Sequence, residues 1–301
     1  MKNTGLILEA PRPRDWCFDG ITGAERKVMM ESNPDWSDFM PVGEMQRRDG
    51  VDLMHCVSES SENAIEGLLN FKGIPKDTAN RSVRHLAIAS GTTRAGNSYR
   101  NVAEAVISAG ICKYSMFPFP DPVTWGEYYL EGRTLPENII IDGLRWRDDW
   151  HPAWEWIAPT PSGTPVHELI RDALRYAPVV ACDNYHSVVV VKDLGDRFKI
   201  FDSYDPYFKE WNYSRFLAAK IYMIDEPREK VPLVEIANDT LVFETGKGRF
   251  GLKIGVRMYV DDLDKILAMW AMRTPDFGRK VTITGEQFDS FNHYNLKNEK
   301  I

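Results

Sequence analysis

Three residues of this chain have the types and order for acyl-transfer chemistry: Cys56, His186 and Asp202. Cys56 stands in Met54-His55-Cys56-Val57-Ser58-Glu59-Ser60-Ser61-Glu62, and Val57, Ala64, Ile65, Leu68 and Leu69 recur at helical spacing. The pattern predicts a helix that begins at the cysteine, with Glu59, Glu62 and Glu66 on its wetter side. A helix start carries about half a positive charge, which pushes a thiol towards thiolate, the form that attacks carbonyls. Alone, a free cysteine is by default a small buried hydrophobe. The histidine far downstream is what makes this one a candidate nucleophile.

His186 precedes Ser187-Val188-Val189-Val190-Val191, and Asp202 follows Phe198-Lys199-Ile200-Phe201, two runs of strand composition. Asp193-Leu194-Gly195 between them suits a three-residue hairpin loop with its glycine in the left-handed position. That loop would pair Lys192 with Asp196 and, counted back, set His186 opposite Asp202. Residues directly opposite have Cβ atoms about 4.5–5.5 Å apart, within reach of an imidazole–carboxylate contact. Without the cysteine such a pair is an ordinary structural contact. With it, the three read as nucleophile, base and orienter.

The elements that must position them fall into two halves. Residues 1–39, rich in Pro, Gly, Trp and charge, read as an extended arm. Helical pattern fills much of 56–130: the Cys56 helix, a helix from Thr78 to Ala89, and one that Ser98 caps at its start and Gly110 at its end. The stretch 115–163, crowded with Pro and Trp, is expected to be irregular, covering a site or bridging lobes. A short helix from Pro165 to Tyr176 precedes the strands at Val179–Cys182, Ser187–Val191 and Phe198–Phe201. Helices followed by strands give an α+β fold.

The chain's 301 residues carry a net charge of -7 with no Lys/Arg stripe, which argues against a nucleic-acid partner. Cys17, Cys56, Cys112 and Cys182 show neither disulfide-framework nor zinc-ribbon spacing. The opening Met1–Glu9 lacks the apolar core of a secretory signal, and no run reaches the length of a membrane span. A product without a membrane partner, cytoplasmic where it is made, is expected.

Several signals are discounted. Gly246-Lys247-Gly248-Arg249-Phe250-Gly251 matches a dinucleotide fingerprint but leads into strand-like Leu252–Val256 rather than a helix, so no cofactor is expected. His55 has no partner at metal-ligand spacing. Cys182 reads as core, Cys17 and Cys112 carry no motif, and Met269-Trp270-Ala271-Met272 reads as packing.

From about Met40 to Asp225 the chain resembles papain-like cysteine peptidases, a two-lobed fold with a helical and an antiparallel β lobe. The resemblance rests on Cys-Val-Ser-Glu-Ser at 56–60, Ala95-Gly96-Asn97-Ser98, Ala109-Gly110-Ile111 and Tyr185-His186-Ser187-Val188. Phe201-Asp202-Ser203-Tyr204 looks like that family's Asn-Ser-Trp segment, with Asp202 where Asn usually stands. Pro41-Val42-Gly43-Glu44-Met45-Gln46 is most similar to bacteriophage-encoded members.

The resemblance implies a domain over 40–228 that cleaves a peptide or other amide through Cys56, His186 and Asp202. It implies Gln46 as the oxyanion donor and a substrate strand against Gly96 and Asn97. Gln46 lies further upstream than the family's glutamine, with Gly50 in the expected spot, and no aromatic follows Cys56. The residues before Cys56 are too few for the long inhibitory propeptide of secreted relatives. Residues 229–301 match no catalytic module and read as strands and a helix near 261–270, a possible docking module for a protein partner. Two alternatives stay open. One is a papain-fold protein retained for its shape, such as a phage virion component. The other is a transglutaminase or NlpC-type amidase, which shares the Cys-then-His order.

Overall fold

The computed structural model describes residues 5–8, 34–43, 45–158, 165–224, 240–245, 248–253 and 279–282. By its internal contacts the chain divides between Glu226 and Pro227 into two units. In the first unit, β1 (Arg47–Arg48) and β2 (Val51–Asp52) form a small hairpin ahead of the helix α1 (Cys56–Phe71). Five more helices follow: α2 (Lys76–Ala79), α3 (Val83–Ala89), α4 (Tyr99–Ala109), α5 (Trp125–Tyr128) and α6 (Glu137–Trp150). Then come β3 (Ala153–Ala158), α7 (Val166–Ala173), β4 (Val179–Cys182), β5 (Ser187–Asp193), β6 (Arg197–Phe201), β7 (Phe208–Asn212) and β8 (Ala218–Met223). The last six strands pair antiparallel in the order β3-β8-β4-β5-β6-β7. The result is the expected α+β arrangement, with helices before the sheet.

α1 begins at Cys56, as its apolar spacing predicts, but it has no wet side. Every residue from Cys56 to Leu69 is buried, Glu59, Glu62 and Glu66 included. The reason is that α1 packs both on the sheet, through β4, β5 and β8, and on α2, α3 and α4. Its polar residues therefore find partners inside: Glu66 accepts the Arg81 backbone N–H, and Ser60 Oγ lies 2.6 Å from Ser187 Oγ. Ile65 and Leu68 are closed off in the same core, where truncation to Ala costs about 2–5 kcal/mol.

The helix expected from Thr78 to Ala89 is broken into α2 and α3. Ser82 ends the continuity by capping the second piece: its Oγ accepts the His85 N–H and donates to the Phe117 carbonyl. Ser98 and Gly110 cap α4 as expected, Ser98 accepting the Asn101 N–H and Gly110 turning with a φ of 69°. The Pro/Trp-rich stretch is more ordered than its composition suggests. It contains α6, whose buried face is Ile139, Gly143 and Trp146, and β3, whose Trp154 and Trp156 pack edge to face. Ile140 and Ile141 stay exposed on α6, which blurs its helical pattern in the sequence.

The β5–β6 hairpin differs from its expected register. Val189 faces Phe201 where the expected loop would bring Lys199, a displacement of two residues, and a bulge between Val190 and Lys192 takes up one more. The chain turns at Gly195, with a φ of 96°, and the Leu194 N–H donates to the Arg197 carbonyl. Because strand side chains alternate with period two, a displacement of two keeps each residue on its expected face. Carried one residue past the strand ends, this register sets Asp202 diagonal to His186 instead of opposite it.

In the second unit, β9 (Thr240–Thr245) pairs antiparallel with β10 (Gly248–Lys253) and parallel with β11 (Arg279–Thr282). The Gly248–Gly251 half of the discounted glycine motif thus lies on a strand. Cys17, the 261–270 helix and the Met269–Met272 cluster fall outside the described residues.

Candidate active site

Asp202 and His186 meet. The His186 Nε2–H donates to Asp202 Oδ1 at 2.6 Å, and both side chains are nearly closed off. The pair is held from outside by backbone contacts: the His186 N–H donates to Asp183 Oδ1 at 2.9 Å, and the Asp202 N–H to the Tyr207 carbonyl at 2.8 Å. Burial alone would raise the Asp202 carboxyl. The hydrogen bond and charge of His186, joined by those of Lys209, outweigh it and hold the group below the usual carboxylate range. His186 Nδ1, the ring's other nitrogen, is buried with no hydrogen-bond partner.

Cys56 stands at the first turn of α1, beside the residue that follows His186. The Ser187 backbone N–H neighbours the Cys56 thiol and acts to lower it. Ser187 is itself fixed by side-chain bonds to Ser60 at 2.6 Å and to the Tyr99 hydroxyl at 2.9 Å. The expected lowering of the thiol does not hold: Cys56 is 0% exposed, and burial pushes it well above its ordinary value, outweighing the Ser187 N–H. Cys112 and Cys182 are also free thiols, each pushed up to about 12 by burial. His55 packs behind Cys56, with Nδ1 at 2.6 Å from the Tyr128 hydroxyl, and burial pushes it down to about 3. Among the described residues no cluster of His, Cys, Asp and Glu is arranged to hold a metal.

Gln46 is brought to the site's edge, but its amide is engaged. Its backbone N–H donates to the Ser203 carbonyl at 3.0 Å, and Ser203 Oγ donates to its Oε1. Its Nε2 donates to Asp52 Oδ1 at 2.7 Å and to the Tyr204 hydroxyl at 2.9 Å, while that hydroxyl donates to Asp52 Oδ2. The Tyr204 ring lies 5.3 Å from the His186 ring, and Trp211 stands 6.3 Å away. Asp52 and Lys209 carried no signal in the sequence, and Tyr204 entered it only as the aromatic of the Asp202-Ser203-Tyr204 segment. Each acts through a partner that only the folded chain supplies.

Gly96 and Asn97 lie where the chain's own start comes to rest. The Asn97 N–H donates to the Gly5 carbonyl and the Ile7 N–H to the Asn97 carbonyl, both at 2.8 Å, in a parallel bridge centred on Leu6. The Asn97 amide points inward, donating to Ser90 and Thr92, so its backbone alone serves the bridge. Gly96 has a φ of 98°, and a Cβ there would sit 2.0 Å from the Gly5 carbonyl oxygen, so only glycine allows this approach. Leu6 is buried in the same core cluster as Cys56.

Two solved structures are similar to this chain over most of its length. Xylellain, a cysteine protease from Xylella fastidiosa, superposes with a TM-score of 0.53 at 13% identity, covering 74% of this chain and 96% of that one. Digestive procathepsin L2 proteinase from Tenebrio molitor larval midgut gives 0.52 at 13%, covering 73% and 78%. The fold is papain-like. No family model and no curated protein matches the sequence. In the papain-like fold described above, the central helix carries Cys56 and His186 directly precedes the sheet strand β5. No helix among the described residues is long and apolar enough to cross a membrane.

Proposed function

We propose that this chain is a cysteine hydrolase that cleaves a peptide or other amide bond through Cys56, His186 and Asp202. The observation that supports it is His186 itself. Asp202 fixes one ring nitrogen, and the other is buried and unpartnered beside the residue whose N–H meets the Cys56 thiol. An imidazole held in this way is arranged to take a proton from a neighbouring group. In the proposed reaction the Cys56 sulfur attacks the carbonyl, His186 takes the thiol proton and passes it to the leaving amine, and a thioester forms. His186 then draws a proton from water as the water oxygen attacks the thioester carbonyl, and the C–S bond breaks to release the acid while the proton returns to the Cys56 sulfur.

The Cys56 backbone N–H, at a helix start without an intrahelical acceptor, is an oxyanion donor that needs no rearrangement. Gln46 would join it only by exchanging its bond to Tyr204 or Asp52. The Gly96–Asn97 edge would take the extended substrate in place of residues 5–7, which bond it here, and residues 229–301 would serve as a docking module.

A second reading, a papain fold kept for its shape as in a virion component, is favoured by the closed Cys56 and the engaged Gln46 amide. An unfolded protein substrate separates the two. Under the hydrolase reading, new peptide termini accumulate with the parent chain but not with Cys56→Ala or His186→Ala, whose thermal transitions match the parent's. Undiminished cleavage by Cys56→Ala would move the nucleophile elsewhere. No cleavage by the parent, together with no Cys56 adduct from a peptidyl epoxide, would favour the second reading.

A further inference from the structure

The second carboxylate oxygen of Asp202 is not free. Lys209 on β7 brings its Nζ to 2.8 Å from Asp202 Oδ2 and 2.9 Å from the Tyr204 carbonyl, so the carboxylate is held between an imidazole and an ammonium. Asp202 is 4% exposed and the Lys209 side chain 27%, so the cation reaches in from the protein's edge to a nearly dry anion. The contact follows from the register: Lys209 faces Ile200, two residues before Asp202, so across the antiparallel pair it lies diagonal to Asp202 and on the same face.

The remaining charged and titratable groups around His186 leave Lys209 a specific task. Asp183, which accepts the His186 backbone N–H, has its own cation in Arg215, at 2.6 Å from Oδ2. Asp52 lies behind the Tyr204 ring, tied to Gln46, Tyr204 and the Met54 N–H. Cys56 approaches from α1 through Ser187. Asp202 is therefore the anion in direct contact with the ring. A carboxylate without a counter-ion, one hydrogen bond from an imidazole, would favour the protonated ring and hold its proton against transfer.

We propose that Lys209 is a positioning residue whose ammonium cancels the Asp202 charge, so that the pair orients His186 as a neutral partner would and leaves its proton free to move. The role of that proton in turnover rests on the hydrolase reading; the charge coupling does not.

The test is the titration of the His186 ring in the full-length chain, followed by long-range proton–nitrogen correlation NMR and assigned by its loss in His186→Gln. Lys209→Met raises the titration midpoint by about one pH unit, a tenfold gain in proton affinity, whereas Lys209→Arg leaves it near the parent value. Asp202→Asn lowers the midpoint, because Lys209 is then unopposed, and adding Lys209→Met to Asp202→Asn brings it back up. An unchanged midpoint in a folded Lys209→Met chain overturns the proposal. Should that variant not fold, equal midpoints in Asp202→Asn and the double variant overturn it. None of these readings requires turnover. An inactive parent with the expected order of midpoints would sink the hydrolase reading alone, and an active parent without that order would sink only the role of Lys209.

Discussion

His186 Nε2 and Asp202 Oδ1 lie 2.6 Å apart even though the strands that lead to them are displaced by two residues from the register that would set them face to face. A diagonal contact between long side chains spans that offset. In the hydrolase reading this bond fixes the ring tautomer. Asp202→Asn, which keeps the shape and removes the charge, is expected to lower kcat with little change in KM. A drop in kcat/KM carried wholly by KM would assign Asp202 to substrate binding instead.

Residues 5–8 pack against the backbone just before Cys56, where a Cβ at Gly5 would sit 2.2 Å from the Met54 carbonyl oxygen, and their release is expected to open access to the thiol. Burying a leucine side chain contributes about 2 kcal/mol, so Leu6→Asp should raise the population with residues 5–8 released about 30-fold. The rate of Cys56 alkylation by iodoacetamide should rise with it, while Cys112 and Cys182 keep their slow rates. Gly96→Ala should act in the same direction, because its Cβ collides with the Gly5 carbonyl. Mass-resolved labelling reads both variants. Unchanged Cys56 kinetics in Leu6→Asp would show that other walls close the thiol.

Gln46 is held too firmly for its removal to be silent in the fold. Gln46→Ala takes one hydrogen-bond donor from Asp52 Oδ1 and one from the Tyr204 hydroxyl in a largely closed site, which costs about 1–3 kcal/mol of unfolding free energy in urea. A loss of activity at unchanged stability would instead assign its amide chiefly to the oxyanion.

Acid should loosen the helical lobe. Burial pushes His55 down to about 3 and His85 down to about 4, whereas in the unfolded chain a histidine binds its proton near about pH 6.5. Unfolding therefore takes up protons between these values, and stability falls as the pH drops below about 6.5. Glu66 works the other way. Burial raises it to about 7, so its stabilisation is present at low pH and lost as the pH rises through that value. From about pH 6.5 to 4.5 His85 and His55, whose Nε2 lies 2.8 Å from Glu59 Oε2, oppose Glu66, and stability falls overall on acidification. Glu66→Gln should steepen that fall in urea titrations, and an unchanged slope would remove Glu66 from the balance.

The sequence showed those parts of the fold whose signals are local. α1 was visible because its apolar spacing is regular and starts at Cys56, and the caps at Ser98 and Gly110 because capping chemistry is specific to residue type. The His186 and Asp202 strands were visible in their β-branched composition, and an even displacement of register kept both residues on one face. What escaped depended on tertiary surroundings. Glu59, Glu62 and Glu66 look solvated until helices and sheet close over α1. The Cys56 thiol looks activated until its burial is known. Lys209 is an ordinary strand lysine until β7 lies beside Asp202.

β7 is the last strand of its sheet and, among the described residues, is hydrogen-bonded on one side only, to β6. Border strands detach at lower free energy than interior ones. The counter-ion of Asp202 therefore rides on one of the two border strands, where the sheet opens most easily. Brief fraying there would strip the carboxylate of its cation while α1 and β5 stay in place, so the site would have a charge-altered state well short of global unfolding. Amide exchange along Phe208–Asn212 would set how often it is visited.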